Sequence, residues 1–398
     1  MNKIMKNYRI LFLASFISLF FSCNKGSSKI IINVKNTLTI NRQFETVELT
    51  KEQLNLKDLH LYTIKDAKSN EILVTQTVDL DGDGISDQLL FQPKIKANDT
   101  KHFEIVLISK TKKTPDTIHC YSRFVPERTD DYAWENDKVA FRTYGPTAQK
   151  MVEENIKGGT LSSGIDAWLK RVDYPIINKW YKKDAEKKGS YHEDSGEGLD
   201  NFHVGVSRGV GGIAIKDENT YHYSKNFSKW RTITTGPIRT SFVLDYEDWK
   251  AGDKNISESK TITLDYGNNF SKFDISLKGS AQISVGLTLH ENDGVVNSDK
   301  NHHWVSYWQP HADSELATAI VTQKNYFAGD EKYETSLKDE SNAYMHLNVI
   351  NNKVIYYAGF TWKKSNQFKD KLAWENYLND FSKKINNPLI IEIKNNQK

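Results

Sequence analysis

From Gly212 onward the chain is a succession of long segments in which apolar and polar residues alternate: GIAIK, IRTSFVLDYEDW, ESKTITLDYG, SKFDISLK, QISVGLTLH, ELATAIVT, AYMHLNVI and KVIYYAGFTW. Successive side chains of a strand point to opposite faces, so this two-residue period demands sheet with one face buried. So many strands in a row, joined by polar turns, predict a large antiparallel sandwich. Near the end FKDKLAWENYLNDFSKKI changes period. Phe368, Leu372, Trp374, Tyr377, Leu378 and Phe381 recur at helical spacing and predict a helix laid on the sheet, after which PLIIEI closes as a strand.

The region 29–118 reads as short strands, KIIINV, LTI, ETVEL, LHLYTI, EILVTQTV, DQLLF and HFEIVLI, at hairpin-like spacing. They predict a small immunoglobulin-like sandwich ahead of the large one, which takes 119–398. Asp79, Asp81, Asp83 and Asp87 with Gly84 fall at positions 1, 3, 5, 9 and 6 of a calcium loop, but position 12 is Leu90 where an EF-hand needs Glu. The stretch is therefore read as an Asp/Gly-rich hairpin turn. A structural divalent cation stays open, and no cofactor is expected.

Lys3, Lys6 and Arg9 precede an apolar run from Ile10 to Phe21 that is too short to span a bilayer and ends in Ser22 and Cys23. This is read as a lipoprotein signal peptide over 1–23, with lipid on Cys23 and a polar tether at 24–28. The expected place is the outer membrane, facing the periplasm. With Cys23 acylated, only Cys120 remains, so no internal disulfide framework can form. A net charge of +3 gives no support for a nucleic-acid partner. Aromatic residues make up 12% of the chain, and flat rings beside polar neighbours suit sugar clefts as well as sandwich cores.

Chemistry concentrates between Ser163 and Gly212. DAWLKRV and PIINKWYKKDAEKKG read as short helical pieces, the second with Gly189 as C-cap, and YHEDSGEGLDNFHVGVSRG as a long polar loop. His192 and His203 lie in that loop with Asp194, Glu197 and Asp200 between them, and a carboxylate beside a histidine can fix its tautomer. Lys170, Arg171 and Arg208 are candidates to bind an anionic substrate, or else belong to solvated faces. Upstream, Arg142 and Tyr144 share one face of the strand KVAFRTY and lead into Gly145 and Pro146, toward a pocket at the strand's end. Glu127, Arg128, Asp130 and Asp131 form either a salt-bridged corner or part of a site. His302, His303, Trp304, Tyr307 and Trp308 form a second histidine-aromatic cluster, read as rim contacts to a sugar or as a buried corner. No Walker loop, nucleophile elbow, HExxH or CxxC is present.

The runs RFVPERTDDYAWENDKVAFRTYGP, SGIDAWLKRVDYP, YHEDSGEGLDNFHVGVSRGVGG and WRTITTGPIRTSF resemble, in order, a family catalogued as domain of unknown function 4861. The resemblance implies a mostly β fold, the large sandwich being a mutarotase-like supersandwich with a few helices. It also implies a place in polysaccharide breakdown as an oligosaccharide dehydratase. The substrate so implied is the unsaturated uronic acid that a lyase leaves at the non-reducing end of ulvan oligosaccharides. Eliminating water from a uronate needs a cation for the carboxylate, a base and an acid. The residues offer Arg171 or Arg208 for the carboxylate, His192 as base, and Tyr144 or His203 as acid. A polysaccharide lyase using the same groups, a non-catalytic carbohydrate-binding lipoprotein, and a glycoside hydrolase using two of the loop's carboxylates are the competing readings.

Overall fold

The computed structural model describes residues 29–110 and 117–396. The signal peptide, Cys23 and the tether lie outside the described residues, as does most of the linker after Lys110.

The first unit is the small sandwich the alternation predicts. Strands Lys29–Lys35, Thr100–Leu107 and Tyr62–Asp66 lie in one sheet, and Val47–Thr50, Gln88–Phe91 and Thr75–Val78 in the other. Ile32, Val34, Leu49, Ile64, Leu89, Phe91 and Phe103 fill the space between them. A seventh strand comes from the far end of the chain, where Ile390–Asn396 pairs antiparallel with Lys29–Lys35. The second unit therefore does not own its last strand. Alternation marks a strand but leaves its partner undefined, and a pairing across this separation has no local signal. The Asp79–Asp87 segment joins Thr75–Val78 to Gln88–Phe91 as a turn. Asp79 accepts the amides of Gly82 and Gly84 (2.7 and 2.8 Å), and Asp83 that of Ile85 (2.7 Å). Oxygens of Asp79, Asp81 and Asp87 lie within 4.8 Å of one another, and Lys51 Nζ sits 2.7 Å from Asp87.

The second unit is built on a nine-stranded antiparallel sheet running from Lys229–Thr234 at one edge to Val295–Asp299 at the other. Two five-stranded sheets cover its inner face. One centres on Val210–Asp217, Gln282–Thr288 and Asn342–Asn348; the other on Asp131–Glu135, Ala140–Thr143 and Asp166–Lys170. All three share one apolar core that includes Trp134, Phe141, Ile213, Val285, Phe273 and Tyr356. Helix Lys371–Asn386 covers the outer face, with Trp374, Leu378 and Phe381 against Trp304, Trp308, Ala317 and Val321. Alternation along Trp304–His311 makes the split visible, since Val305 and Tyr307 enter the inner core while Trp304 and Trp308 lie under the helix.

The two inner sheets meet where Ile165 bridges Gly209 in parallel, and the Val210 amide donates to the Ile165 carbonyl at 2.9 Å. Gly209 has φ +59, and a Cβ there would lie 1.9 Å from that carbonyl oxygen. Only glycine lets the two backbones approach this closely.

Two local expectations fail. DAWLK is strand Asp166–Lys170, not helix, and all five residues are buried. Burial on both faces erases the alternation by which a strand is read. Helix Ile177–Ala185 forms as expected but is capped at Glu186, so Gly189 lies beyond the cap. The Ser163–Gly212 stretch thus supplies one of the strands of an inner sheet, pairing with Ala140–Thr143.

Candidate functional site

Register assembles the site. Asp166 is directly opposite Arg142 in the pairing of Ala140–Thr143 with Asp166–Lys170. Arg142 Nε and Nη2 both donate to Asp166 Oδ2 (3.0 and 2.5 Å), Nη2 donates also to Asp200 Oδ2 (2.9 Å), and Nη1 reaches Tyr191 Oη (3.3 Å) and comes within 3.6 Å of Asp131. The rings of Trp168, Tyr144 and Tyr191 surround the guanidinium at 5.3 to 5.7 Å. The arginine is buried, as are all three aspartates.

Burial governs the electrostatics here. It would lower the pKa of Arg142, but the Asp200 and Asp166 carboxylates more than offset it and hold the guanidinium charged. Burial pushes Asp131 up to about 6 against the pull of Arg142 and Arg128. It also raises Asp166, and it raises Asp200, where the neighbouring Asp166 carboxylate adds to the shift. Three carboxylates around so few cations disfavour full ionisation, so the cluster holds a proton where isolated aspartates would not. Oδ1 of both Asp131 and Asp166 is buried without a hydrogen-bond partner. Burial, then Asp166, raises the Tyr144 hydroxyl well above its usual value, so it stays protonated, 3.5 Å from Asp166.

A cavity of about 340 Å³ opens over this cluster, lined by Arg142, Tyr144, His192, Asp200, Asn201 and His203 among others. His192 stands at its exposed side. Its Nδ1–H donates to the Asp200 carbonyl oxygen at 2.6 Å, which assigns the proton to Nδ1 and leaves the Nε2 lone pair as the basic position. His203 Nε2–H donates to Asp339 (2.9 Å), and the His203 carbonyl accepts Nε2–H of His290. His311 Nε2 lies 3.0 Å from Asn201 Oδ1, and burial, then His290, drops the pKa of His311 to about 4. The arrangement offers a base, a protonated phenol as acid, and one arginine within a single cavity.

Other candidates from the sequence lie elsewhere. Lys170 is fully buried and donates to Glu135 (2.8 Å) and to the carbonyls of Asn136 and Tyr174, so it binds no substrate. Arg208 is buried between sheets, donating to Ser163 Oγ and to the carbonyls of Ile213 and Val206 over the Tyr223 ring. Arg171 pairs with Asp194 (2.9 Å), which also accepts the Gly196 amide, so the two clamp a turn. Glu197 is taken by Lys179, Tyr174 and Trp180. His303 sits against Phe327, and the Trp304 indole donates to Asn379 of the outer-face helix. A polar side chain whose hydrogen bonds are filled by its own fold has none left for a ligand, and sequence alone does not show that filling. Within the Glu127–Asp131 corner, Glu127 pairs with Arg123 and Asp130 accepts the amide of Thr147 at the start of helix Pro146–Glu153, whereas Arg128 and Asp131 border the arginine cluster.

Sequence reasoning missed Asp166, Asn201, His290, His311 and Asp339. Asp166 had a usable signal, because reading DAWLK as a buried strand beside KVAFRTY places an aspartate opposite an arginine. Asn201 lies inside the loop already singled out, whereas His290, His311 and Asp339 arrive from segments distant in sequence and carry no local mark.

The model of a domain of unknown function, DUF4861, matches residues 34–391. The chain belongs to this family. An uncharacterized protein of Formosa agariphila is 53% identical over 395 residues, covering 98% of this chain and all of that one. Among solved structures, an alpha-mannosidase from Enterococcus faecalis superposes with a TM-score of 0.45 at 8% identity over 93% of this DUF4861 chain and 46% of its own. A glycosyl hydrolase family 38 protein from the same species gives 0.47 at 10% identity over 92% and 48%. The DUF4861 chain thus spans less than half the length of each of those two.

Proposed function

We propose that this protein is a carbohydrate-active acid–base enzyme. In this reading it is a dehydratase that eliminates water from the unsaturated uronic acid at the non-reducing end of lyase-generated ulvan oligosaccharides. The observation that carries the reading is His192, its proton fixed on Nδ1 by the Asp200 carbonyl, in one cavity with Tyr144 and Arg142. His192 Nε2 takes the carbon-bound proton, and Tyr144 gives its proton to the departing hydroxyl, which leaves as water. Arg142 takes the place first given to Arg171 or Arg208; its N–H donors are taken by Asp166, Asp200 and Tyr191, so it favours the uronate carboxylate through its charge rather than by direct hydrogen bonds. The raised pKa of Asp200 supports that role, because a protonated Asp200 donates to an incoming carboxylate where an ionised one would repel it.

The same base, acid and arginine would serve a β-eliminating polysaccharide lyase, and the exposure of His192 on an open cavity favours that second reading where a polymer runs through the site. Mass spectrometry after incubation with unsaturated oligosaccharides and with intact polyuronide separates them. Loss of one water from the oligosaccharide supports dehydration, whereas cleavage of the polymer without added water supports the lyase. Cleavage with added water means hydrolysis, and unchanged mass with measurable binding means a sugar-binding protein. We also propose lipidation at Cys23 and attachment to the outer membrane on its periplasmic side, which the leader sequence supports. A Cys23→Ala protein recovered with the membranes, as the unaltered protein is, would refute it.

A further inference from the structure

We propose that the cleft continues past the His203–Asp339 bridge into a second subsite, which takes the sugar residue next to the one held at His192 and Tyr144. The proposal rests on the functional reading above for the identity of the first residue.

A second cavity, of about 310 Å³, is lined by Thr288, His290, Glu291, Leu337, Lys338 and Asp339 among others. It shares its wall with the first. His203 lines the first cavity and bonds Asp339 of the second at 2.9 Å, while the His203 carbonyl accepts a hydrogen bond from His290 of the second. Gly205 makes the closeness possible, since a Cβ there would lie 2.2 Å from Asp339 Oδ2 and 3.0 Å from His203 Nε2, on a backbone with φ +53. The bridge itself is open to solvent, with 61% of the His203 side chain exposed, so a linkage between two sugars can lie over it.

The second cavity has the chemistry of a sugar site. Among the described residues Glu291 and Lys338 have no ion-pair partner, so a carboxylate acceptor and an ammonium donor are available to ring hydroxyls. Leu337 stands 58% exposed at the edge and offers an apolar surface to the C–H face of a ring. Neither Glu291 nor Lys338 has a role in the acid–base step.

Calorimetric titration tests this with His192→Ala protein, which keeps the ligand intact. The probes are the unsaturated uronate as monosaccharide and as the lyase-generated disaccharide. The disaccharide is expected to bind at least about tenfold more tightly than the monosaccharide, and Glu291→Ala/Lys338→Ala in the same background to lose most of that advantage. Equal affinity for the two sugars, or an advantage that survives the double substitution, overturns the subsite. The titration reads binding alone, so failure to release water in the mass assay would overturn the dehydratase while leaving the subsite to be judged here. Binding of neither sugar overturns both.

Discussion

The backbone carbonyl of Asp200 lies 2.6 Å from His192 Nδ1, while the carboxylate of Asp200 lies 2.9 Å from Arg142 Nη2. One residue therefore fixes the tautomer of the base with its main chain and adjusts the charge around the arginine with its side chain. This separation of tasks gives Asp200→Asn a specific meaning, because the substitution keeps the carbonyl and removes only the titration.

Ligand binding should follow the Asp200 proton. Burial and Asp166 raise its pKa, so the protonated fraction grows as pH falls, and a uronate should bind more tightly toward lower pH over that range. Titration of the disaccharide across pH is expected to show this slope in wild type and a flatter line in Asp200→Asn. Parallel lines for the two proteins would remove Asp200 from the account.

Stability should carry a mark of the same sign from the same burial. Asp131 titrates at about 6 in the folded protein, against about 3.9 for an unfolded aspartate. The native chain holds this proton more tightly, so its contribution is complete below about pH 4 and is lost as pH rises to about 6. Asp131→Asn is expected to show a smaller decline in Tm over that window than wild type. Equal declines in scanning calorimetry would contradict the assignment.

Lys170 is expected to matter for folding alone. Its partner Glu135 accepts the amides of Ile176 and Ile177 at the start of helix Ile177–Ala185, and both charged side chains are fully buried. Removing one member of such a pair leaves a buried charge without compensation and costs about 3–5 kcal/mol. Urea denaturation of Lys170→Met should show a loss of that order, whereas a loss below about 1 kcal/mol, as for an exposed pair, would place the lysine elsewhere.

How much of this was legible follows from where the signals are local. Alternation gave the two sandwiches and helical spacing the final helix, because Trp374, Leu378 and Phe381 repeat within one element. His192, His203, Arg142 and Tyr144 were each legible as candidates, though with Arg171 or Arg208 rather than Arg142 as the cation for the carboxylate, and the structure brings these four to one cavity. Strand Asp166–Lys170 was misread because both of its faces are buried, and Asp166 was lost with it. Lys170, Arg208 and Glu197 looked available because sequence lists charges without the hydrogen bonds that consume them. His290 and Asp339 reach the site from turns that are remote in sequence, and only the folded sheets bring them to His203.

The central claim is that His192 draws a proton from a uronate that then loses water. The direct measurement is the product mass formed from lyase-generated unsaturated oligosaccharide by wild type and His192→Ala side by side, with circular dichroism to confirm that the variant folds. The account predicts a product lighter by one water with wild type, and a rate lower by about 10²- to 10⁴-fold with the variant. Equal turnover by the two proteins, or a wild-type product that is cleaved or unchanged in mass, would contradict it.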